Sequence, residues 1–191
     1  MMRYILVGIL ALMAVAVGFM TYQWYRGNSG AVAFGAPFEL VDHNGDPITE
    51  AAFQGSPTAL FFGFTHCPDV CPTTLFEMEG WLETLGEDGE LEAYFVTVDP
   101  ERDTPETMKA YVGNFSDRIT GITGDPEKVR AMTEAYRIYA RKVELEDGDY
   151  TMDHTASVML LDRDGDFFGT ISYEENPETA IAKLRRLINE G

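Results

Sequence analysis

Residues 58–75, Thr-Ala-Leu-Phe-Phe-Gly-Phe-Thr-His-Cys-Pro-Asp-Val-Cys-Pro-Thr-Thr-Leu, set the terms for the rest of the chain. The apolar run Ala59–Phe64 has the length and aromatic content of a strand buried on both faces. A polar turn ends it, and that turn carries the sequence's two cysteines, Cys67 and Cys71. Pro72 follows, a residue suited to the first position of a helix, where no N–H is needed. The thiols are therefore expected in a strand-to-helix turn at the positive end of a helix dipole, which favours thiolate over thiol. Thiolate is the form that attacks disulfides and binds soft metals. Two cysteines cannot build a disulfide framework, and three intervening residues make them a local pair, read as redox or metal-binding.

The flanking pattern supplies the rest of a sheet. Phe38–Val41 reads as a short strand, Asp42–Asp46 as a hairpin turn with Asn44-Gly45 in left-handed positions, and Ile48 as the return. After Cys71, Leu75, Met78, Leu82 and Leu85 mark one face of a helix, with Gly86 as its C-cap. Leu91–Val98 reads as another strand. Thr104-Pro105-Glu106 and Asp125-Pro126-Glu127 each start a helix with a cap, a proline and an acid. The second is expected to run through about Ala140, with Val129, Met132, Ala135 and Tyr136 inward. Ile119–Thr123 is a short strand, and Glu144–Asp149 an acidic loop. Ala156–Leu161 and Phe167–Tyr173 form a hairpin across Asp162-Arg163-Asp164-Gly165, and Asn176-Pro177-Glu178 caps a last helix. This order implies an α/β fold, a central mixed sheet flanked by helices. With a thiol pair after the central strand it is thioredoxin-like, with an N-terminal hairpin extension.

Residues 4–22 contain no charged side chain, and these nineteen residues would form a helix of about 28 Å, close to the hydrocarbon thickness of a bilayer. Tyr22, Trp24 and Tyr25 follow as an interfacial aromatic belt. Ala31-Val32-Ala33 resembles a signal-peptide cleavage site, but the apolar run is long for a signal peptide and the site lies well past its end. An uncleaved anchor is therefore favoured. The expected organisation is a short basic N-terminus (1–3), a transmembrane anchor (4–25), a flexible glycine-rich tether (26–36) and one domain (37–191). No Arg- and Ser-rich transit peptide is present, which points to a single pass through a bacterial inner membrane with the domain in the periplasm. A formal charge of −18 and a pI near 4.3 argue against nucleic acid as a partner.

Two thiolates leave a soft-metal site short of a ligand, so the three histidines matter. His43 falls in a hairpin turn and is expected to face solvent. His66 neighbours Cys67, where adjacent side chains usually point apart; it either tunes thiolate charge or is simple surface. His154, in Tyr150-Thr151-Met152-Asp153-His154-Thr155, precedes a strand expected near the central one. In a thioredoxin-like topology that loop faces the thiol turn, so His154 is the candidate third ligand. Asp153 is the candidate to orient it through its other ring nitrogen, against the reading of a solvated acid. Asp69 either adjusts charge inside the turn or bonds its own backbone. A thioredoxin-type reductant would space its cysteines by two residues and carry a cis-proline facing them. Here no proline lies between Pro126 and Pro177, and His154 comes where that loop should be. The balance moves from oxidoreductase, or a purely structural pair, toward a metal site, and two thiolates suit Cu(I).

Three segments together resemble the Sco/SenC family: Phe62-Gly63-Phe64-Thr65-His66-Cys67-Pro68-Asp69-Val70-Cys71-Pro72-Thr73-Thr74-Leu75, Val98-Asp99-Pro100-Glu101-Arg102-Asp103-Thr104-Pro105, and Asp153-His154-Thr155. The resemblance covers about residues 34–190 and the anchor. It implies a membrane-tethered, thioredoxin-like protein that holds copper, Cu(I) or Cu(II), through Cys67, Cys71 and His154. It further implies a metallochaperone for the CuA site of cytochrome c oxidase subunit II, rather than an enzyme, with an upstream copper donor and a thioredoxin-like reductant as further partners. Cu(II) would take an additional oxygen or solvent ligand. Oxidation to a disulfide would remove both thiolates and so couple redox state to metal loading. The alternative is a thiol–disulfide reductase that uses Cys67 and Cys71 to keep the cysteines of subunit II reduced. A thiol peroxidase acting at Cys67 is a third reading.

Overall fold

The computed structural model describes Arg3, Met13 and residues 15–21, 34–86, 90–146 and 148–191. The chain divides into two compact units, Met1–Ala33 and Phe34–Gly191. In the first, the described residues are helical. Among the described residues no helix is long and apolar enough to cross a membrane. The anchor expected over 4–25 lies outside the described residues except for Met13 and 15–21, and the tether over 26–36 except for 34–36.

The second unit is built on strand β3 (Thr58–Gly63), all of whose residues are buried. A strand with no polar face needs neighbours on both edges. β3 pairs in parallel with β4 (Glu92–Thr97), from Thr58 opposite Glu92 to Gly63 opposite Thr97. Its other edge pairs antiparallel with β8 (Val158–Leu161). β4 continues in parallel to β5 (Ile119–Thr123), and antiparallel hairpins close the sheet at each end. These are β1 (Glu39–Asp42) with β2 (Pro47–Thr49), and β8 with β9 (Phe167–Ile171). The order is β2-β1-β5-β4-β3-β8-β9, a seven-stranded mixed sheet.

Both hairpin turns use one device. Asp42 Oδ1 accepts from the N–H groups of Asn44 and Asp46 (2.7 and 3.0 Å), and Asp162 Oδ1 from those of Asp164 and Asp166 (3.0 and 2.9 Å). Gly45 and Gly165 take the left-handed position in each (φ 88° and 82°).

Four helices flank the sheet: α1 (Val70–Leu85), α2 (Pro105–Val112), α3 (Pro126–Ala135) and α4 (Pro177–Glu190). The last three begin as expected, each with a proline in the first turn behind a capping side chain, Thr104, Asp125 or Asn176. α1 differs. It starts at Val70, so Pro72 is its third residue rather than its first, and Cys71 lies within the helix. Proline is tolerated there because no N–H of the first turn has an intrahelical acceptor.

The largest departure from expectation follows α3. That helix stops at Ala135 instead of continuing to about Ala140, and Arg137 adopts a left-handed backbone (φ 56°). Ala140–Glu144 is a strand, β6, paired antiparallel with β7 (Tyr150–His154) in a separate two-stranded sheet. The expected acidic loop is the connection of this hairpin, closed by Leu145 N–H donating to Asp149 O (2.8 Å). His154 is therefore the last residue of a strand and not part of a loop.

Candidate metal centre

The centre begins where β3 runs out. A Cβ on Gly63 would lie 2.6 Å from Phe95 Cε2 and 2.7 Å from Cys71 Sγ, so a residue without a side chain makes room for the sulfur. The chain then turns, with Cys67 N–H donating to Phe64 O (3.2 Å). Thr65 ties the turn to the core. Its N–H and hydroxyl donate to Asp103 at 3.1 and 2.6 Å, and Thr97 of β4 donates to the same carboxylate at 2.6 Å. Asp103 is completely buried, and burial raises its pKa against these lowering hydrogen bonds.

Asp69 precedes α1 but its carboxylate makes no capping bond. The Cys67 sulfur takes that place, accepting from the N–H of Cys71 at 3.3 Å. A sulfur held by helix N-terminal N–H groups is favoured as an anion. Cys71, two residues into the helix, is completely buried; Cys67 is partly exposed, and both are free.

Their acidities split widely. The hydrogen bond from Cys71 lowers the Cys67 thiol from its ordinary 9.0 to about 4; burial opposes this, while His154 and the N–H groups of Asp69 and Cys71 add to it. Cys71 is pushed far up by its bond to Cys67, by burial and by the Cys67 charge. The pair thus holds one proton, with the thiolate on the more exposed sulfur.

His154 approaches from β7. Its Nε2 lies 3.6 Å from Cys71 Sγ, and its Nδ1 lies 2.9 Å from Thr155 O. A carbonyl can only accept, so Nδ1 donates to it, and Nε2 is the nitrogen turned toward the thiols. Phe61 and Phe64 hold the ring, at centroid distances of 6.3 and 5.7 Å. The two sulfurs and a histidine nitrogen all lie within 4.8 Å of one another. Cys67 and His154 line a cleft of about 220 Å³ together with Phe64, Pro68, Asp69 and Met152, while Cys71 lies buried beneath them. This donor set, two sulfurs and one imidazole, suits a soft monovalent or borderline metal.

Of the remaining candidates, Asp69 and Asp153 border the same cleft without joining the donor trio, and His66 and His43 lie outside it. Asp153 does not orient His154. Adjacent residues of a strand face opposite ways, and Asp153 is exposed and pairs with Arg141 across the hairpin at 3.8 Å. The orienting group is instead the Thr155 carbonyl. The Asp69 carboxylate is exposed, and its residue serves the thiolate through the backbone N–H. His66 is 52% exposed and meets Thr65 Oγ1 at 3.1 Å, outside the trio. His43 is structural rather than solvated, accepting at Nδ1 from Gly121 N–H (2.8 Å).

Sequence reasoning assigned no part to Gly63, Asp99, Arg102, Asp103 or Tyr150, which shape the surroundings. Asp99 and Arg102 pair, and the Tyr150 hydroxyl donates to Asp99 (2.9 Å). The compact Asp99–Asp103 run was the one available signal.

A thioredoxin-like sheet that offers two thiols from a strand-to-helix junction and an imidazole from a facing hairpin defines a class of domain with a thiol-rich metal centre. Comparison with known proteins makes this specific: the chain belongs to the SCO1/SenC family, whose profile matches residues 26–189. It is 35% identical over 164 residues to mitochondrial SCO2 of Saccharomyces cerevisiae, covering 83% of this chain and 54% of that one. The solved structure of Bradyrhizobium japonicum ScoI with copper bound is similar at 49% identity and a TM-score of 0.75, over 81% of this chain and 99% of that one. Yeast Sco1 with copper bound is similar at 32% identity and a TM-score of 0.76, over 83% and 90%. The chain spans about half the length of curated mitochondrial relatives that it matches.

Proposed function

We propose that this chain is a copper metallochaperone, with Cys67, Cys71 and His154 as ligands and copper as cargo. One observation carries the reading: two sulfurs and an imidazole nitrogen converge within 4.8 Å, and the Thr155 carbonyl holds the imidazole with Nε2 turned toward them. Cu(I) fits this set best, since two thiolates and one nitrogen satisfy a soft, low-coordinate ion. The copper-bound relatives support the choice of metal. Metal uptake replaces the proton the two thiols share, and it needs the sulfurs reduced.

The recipient in this reading is the CuA site of cytochrome c oxidase subunit II, and an upstream donor loads the metal. Residues 4–25 anchor the chain in a bacterial inner membrane with its domain in the periplasm. The uncharged run over 4–22 and the aromatic residues after it support that placement.

The acidity split favours a second reading, a thiol–disulfide reductase. The Cys67 thiolate would attack a partner disulfide, releasing one partner thiolate and forming a mixed disulfide. Cys71 would then displace the second partner thiolate, leaving a Cys67–Cys71 disulfide for a thioredoxin-like reductant to reopen.

The test is Cu(I) titration of the reduced chain beside His154→Ala, with disulfide exchange followed in parallel. The chaperone reading expects tight one-to-one binding that weakens at least tenfold without the imidazole. Weak binding indifferent to His154, with brisk exchange, would favour the reductase.

A further inference from the structure

The β6–β7 hairpin shares no backbone ladder with the main sheet, so side chains fix where it stands. Tyr150, the first residue of β7, carries the densest of these contacts. Arg102 Cζ lies 3.7 Å from the centre of its ring, and Arg102 Nη1 donates to its carbonyl at 3.1 Å. The same guanidinium pairs through Nε with Asp99, whose other oxygen accepts from the Tyr150 hydroxyl at 2.9 Å. Asp99 is 3% exposed and Arg102 18%, so these charges meet largely away from water. Arg102 also lies 6.0 Å from the Phe64 ring, which stands edge-on to His154. One residue further along, Asp103 holds Thr65 in the thiol turn. The segment Asp99–Asp103 therefore grips both halves of the centre, the thiol turn through Asp103 and the histidine hairpin through Asp99 and Arg102.

We propose that Arg102 is a positioning residue for the metal centre: with Asp99 it clamps Tyr150, and the clamp sets where β7 presents His154 to the two thiols. The inference rests on the copper reading above. Only a planar fork can stack on the ring, pair with Asp99 and reach the Tyr150 carbonyl together; a lysine has one charged point and forfeits two of the three. The clamp acts through His154, so its loss lowers metal affinity without touching a ligand.

A double-mutant cycle on the 191-residue chain tests this, using Cu(I) affinity by chelator competition. Arg102→Ala is expected to weaken binding about tenfold, in line with other groups that hold a ligand in place. In the His154→Ala background the same change should do almost nothing. Arg102→Lys should follow Arg102→Ala, and Tyr150→Phe, which keeps the stacked ring, should cost about fivefold or less. Equal losses from Arg102→Ala in both backgrounds, or none in either, overturn the proposal. Hydrogen exchange on the metal-free protein reads the clamp independently: faster exchange confined to Tyr150–His154 in Arg102→Ala supports it, and unchanged exchange overturns it. If the parent chain binds Cu(I) weakly and indifferently to His154, the copper reading falls on that result, and the exchange measurement still decides the clamp.

Discussion

The two sides of the centre are built on different principles. The thiol side is core: β3 is buried throughout, Gly63 is packed against Phe95 and Cys71, and Asp103 fastens the turn to β4. The histidine side is an attachment. Its two strands pair only with each other, and a cleft of about 250 Å³, lined by residues including Val98, Val129, Ala140 and Met152, runs between them and the body. Hydrophobic packing tolerates little displacement, because any shift opens voids or forces overlap. A polar clamp has two states, made or broken. The Cys71 sulfur therefore cannot move without disturbing the core, whereas the imidazole is placed by the Phe61 and Phe64 rings and by the side-chain contacts of its hairpin.

Removing a sulfur should give the largest effect. Cys71→Ala takes away a proposed ligand and also the hydrogen bond that most lowers the Cys67 pKa. Cu(I) affinity should fall beyond the roughly 10–100-fold range typical of groups that merely support a ligand. The Cys67 thiolate, followed by ultraviolet absorbance in the metal-free protein, should titrate near 4 in the parent and move up toward the ordinary 9.0 in the variant. Linkage fixes the sign for stability. Between about 4 and 9 the folded pair holds one proton and the unfolded pair two, so stability rises with pH through this window. Above the unfolded value the unfolded chain loses both protons while buried Cys71 keeps its own, and the slope reverses. The gap in melting temperature between parent and Cys71→Ala should widen from about pH 5 to about pH 7. A constant gap would mean that the sulfurs do not share a proton.

A smaller effect, on the same side, should come from Gly63→Ala. The new methyl group meets Phe95 and the Cys71 sulfur at 2.6 and 2.7 Å, and both belong to the core. Overpacking of this kind costs about 1–3 kcal/mol. In a domain of this size that lowers the melting temperature by about 2–4 °C per kcal/mol. The displaced Cys71 should also donate less well, raising the Cys67 titration. An unchanged titration beside a lowered melting temperature would separate the glycine's packing role from its role in placing the sulfur.

The same contrast explains how much could be read in the sequence. The continuous apolar run Ala59–Phe64 marks β3 because a strand buried on both faces has no polar positions to interrupt it. Three of the four helix starts are legible from a capping residue, a proline and an acid, each a local device. The β6–β7 hairpin leaves no such mark. Arg141, Lys142, Glu144 and Asp153 lie on its strands, and with little apolar face it shows no alternation, so the helical pattern of α3 runs on into it. The two cysteines are visible by spacing, and His154 by its place before the last hairpin. What holds that histidine is not visible. Its Nδ1 partner is a backbone carbonyl, common to every residue, and its distance from the sulfurs depends on contacts between Arg102 and Tyr150, 48 residues apart. Asp153 looked suitable because a carboxylate beside a histidine is a familiar pairing; strand geometry sends the two side chains to opposite faces.

The smallest effect should come from Lys142→Ala, and it tests where on the hairpin the clamp resides. Lys142 Nζ lies 3.7 Å from the centre of the Tyr150 ring, the same distance as Arg102 Cζ. Distance alone would make the two cations equal. Burial does not: Lys142 is 45% exposed and its pairing with Glu101 at 3.8 Å is a surface contact, whereas Arg102 is 18% exposed and bonded to a buried carboxylate. An exposed cation over a ring contributes about 0.5–1 kcal/mol, and an exposed ion pair about as little. Lys142→Ala should therefore lower the melting temperature by about 1–4 °C. It should change Cu(I) affinity by less than about twofold, because the remaining bonds of Tyr150 keep β7 in place. If Lys142→Ala weakened copper binding as much as Arg102→Ala, the hairpin would be held by its outer surface, and the division between a buried clamp and a solvated flank would not stand.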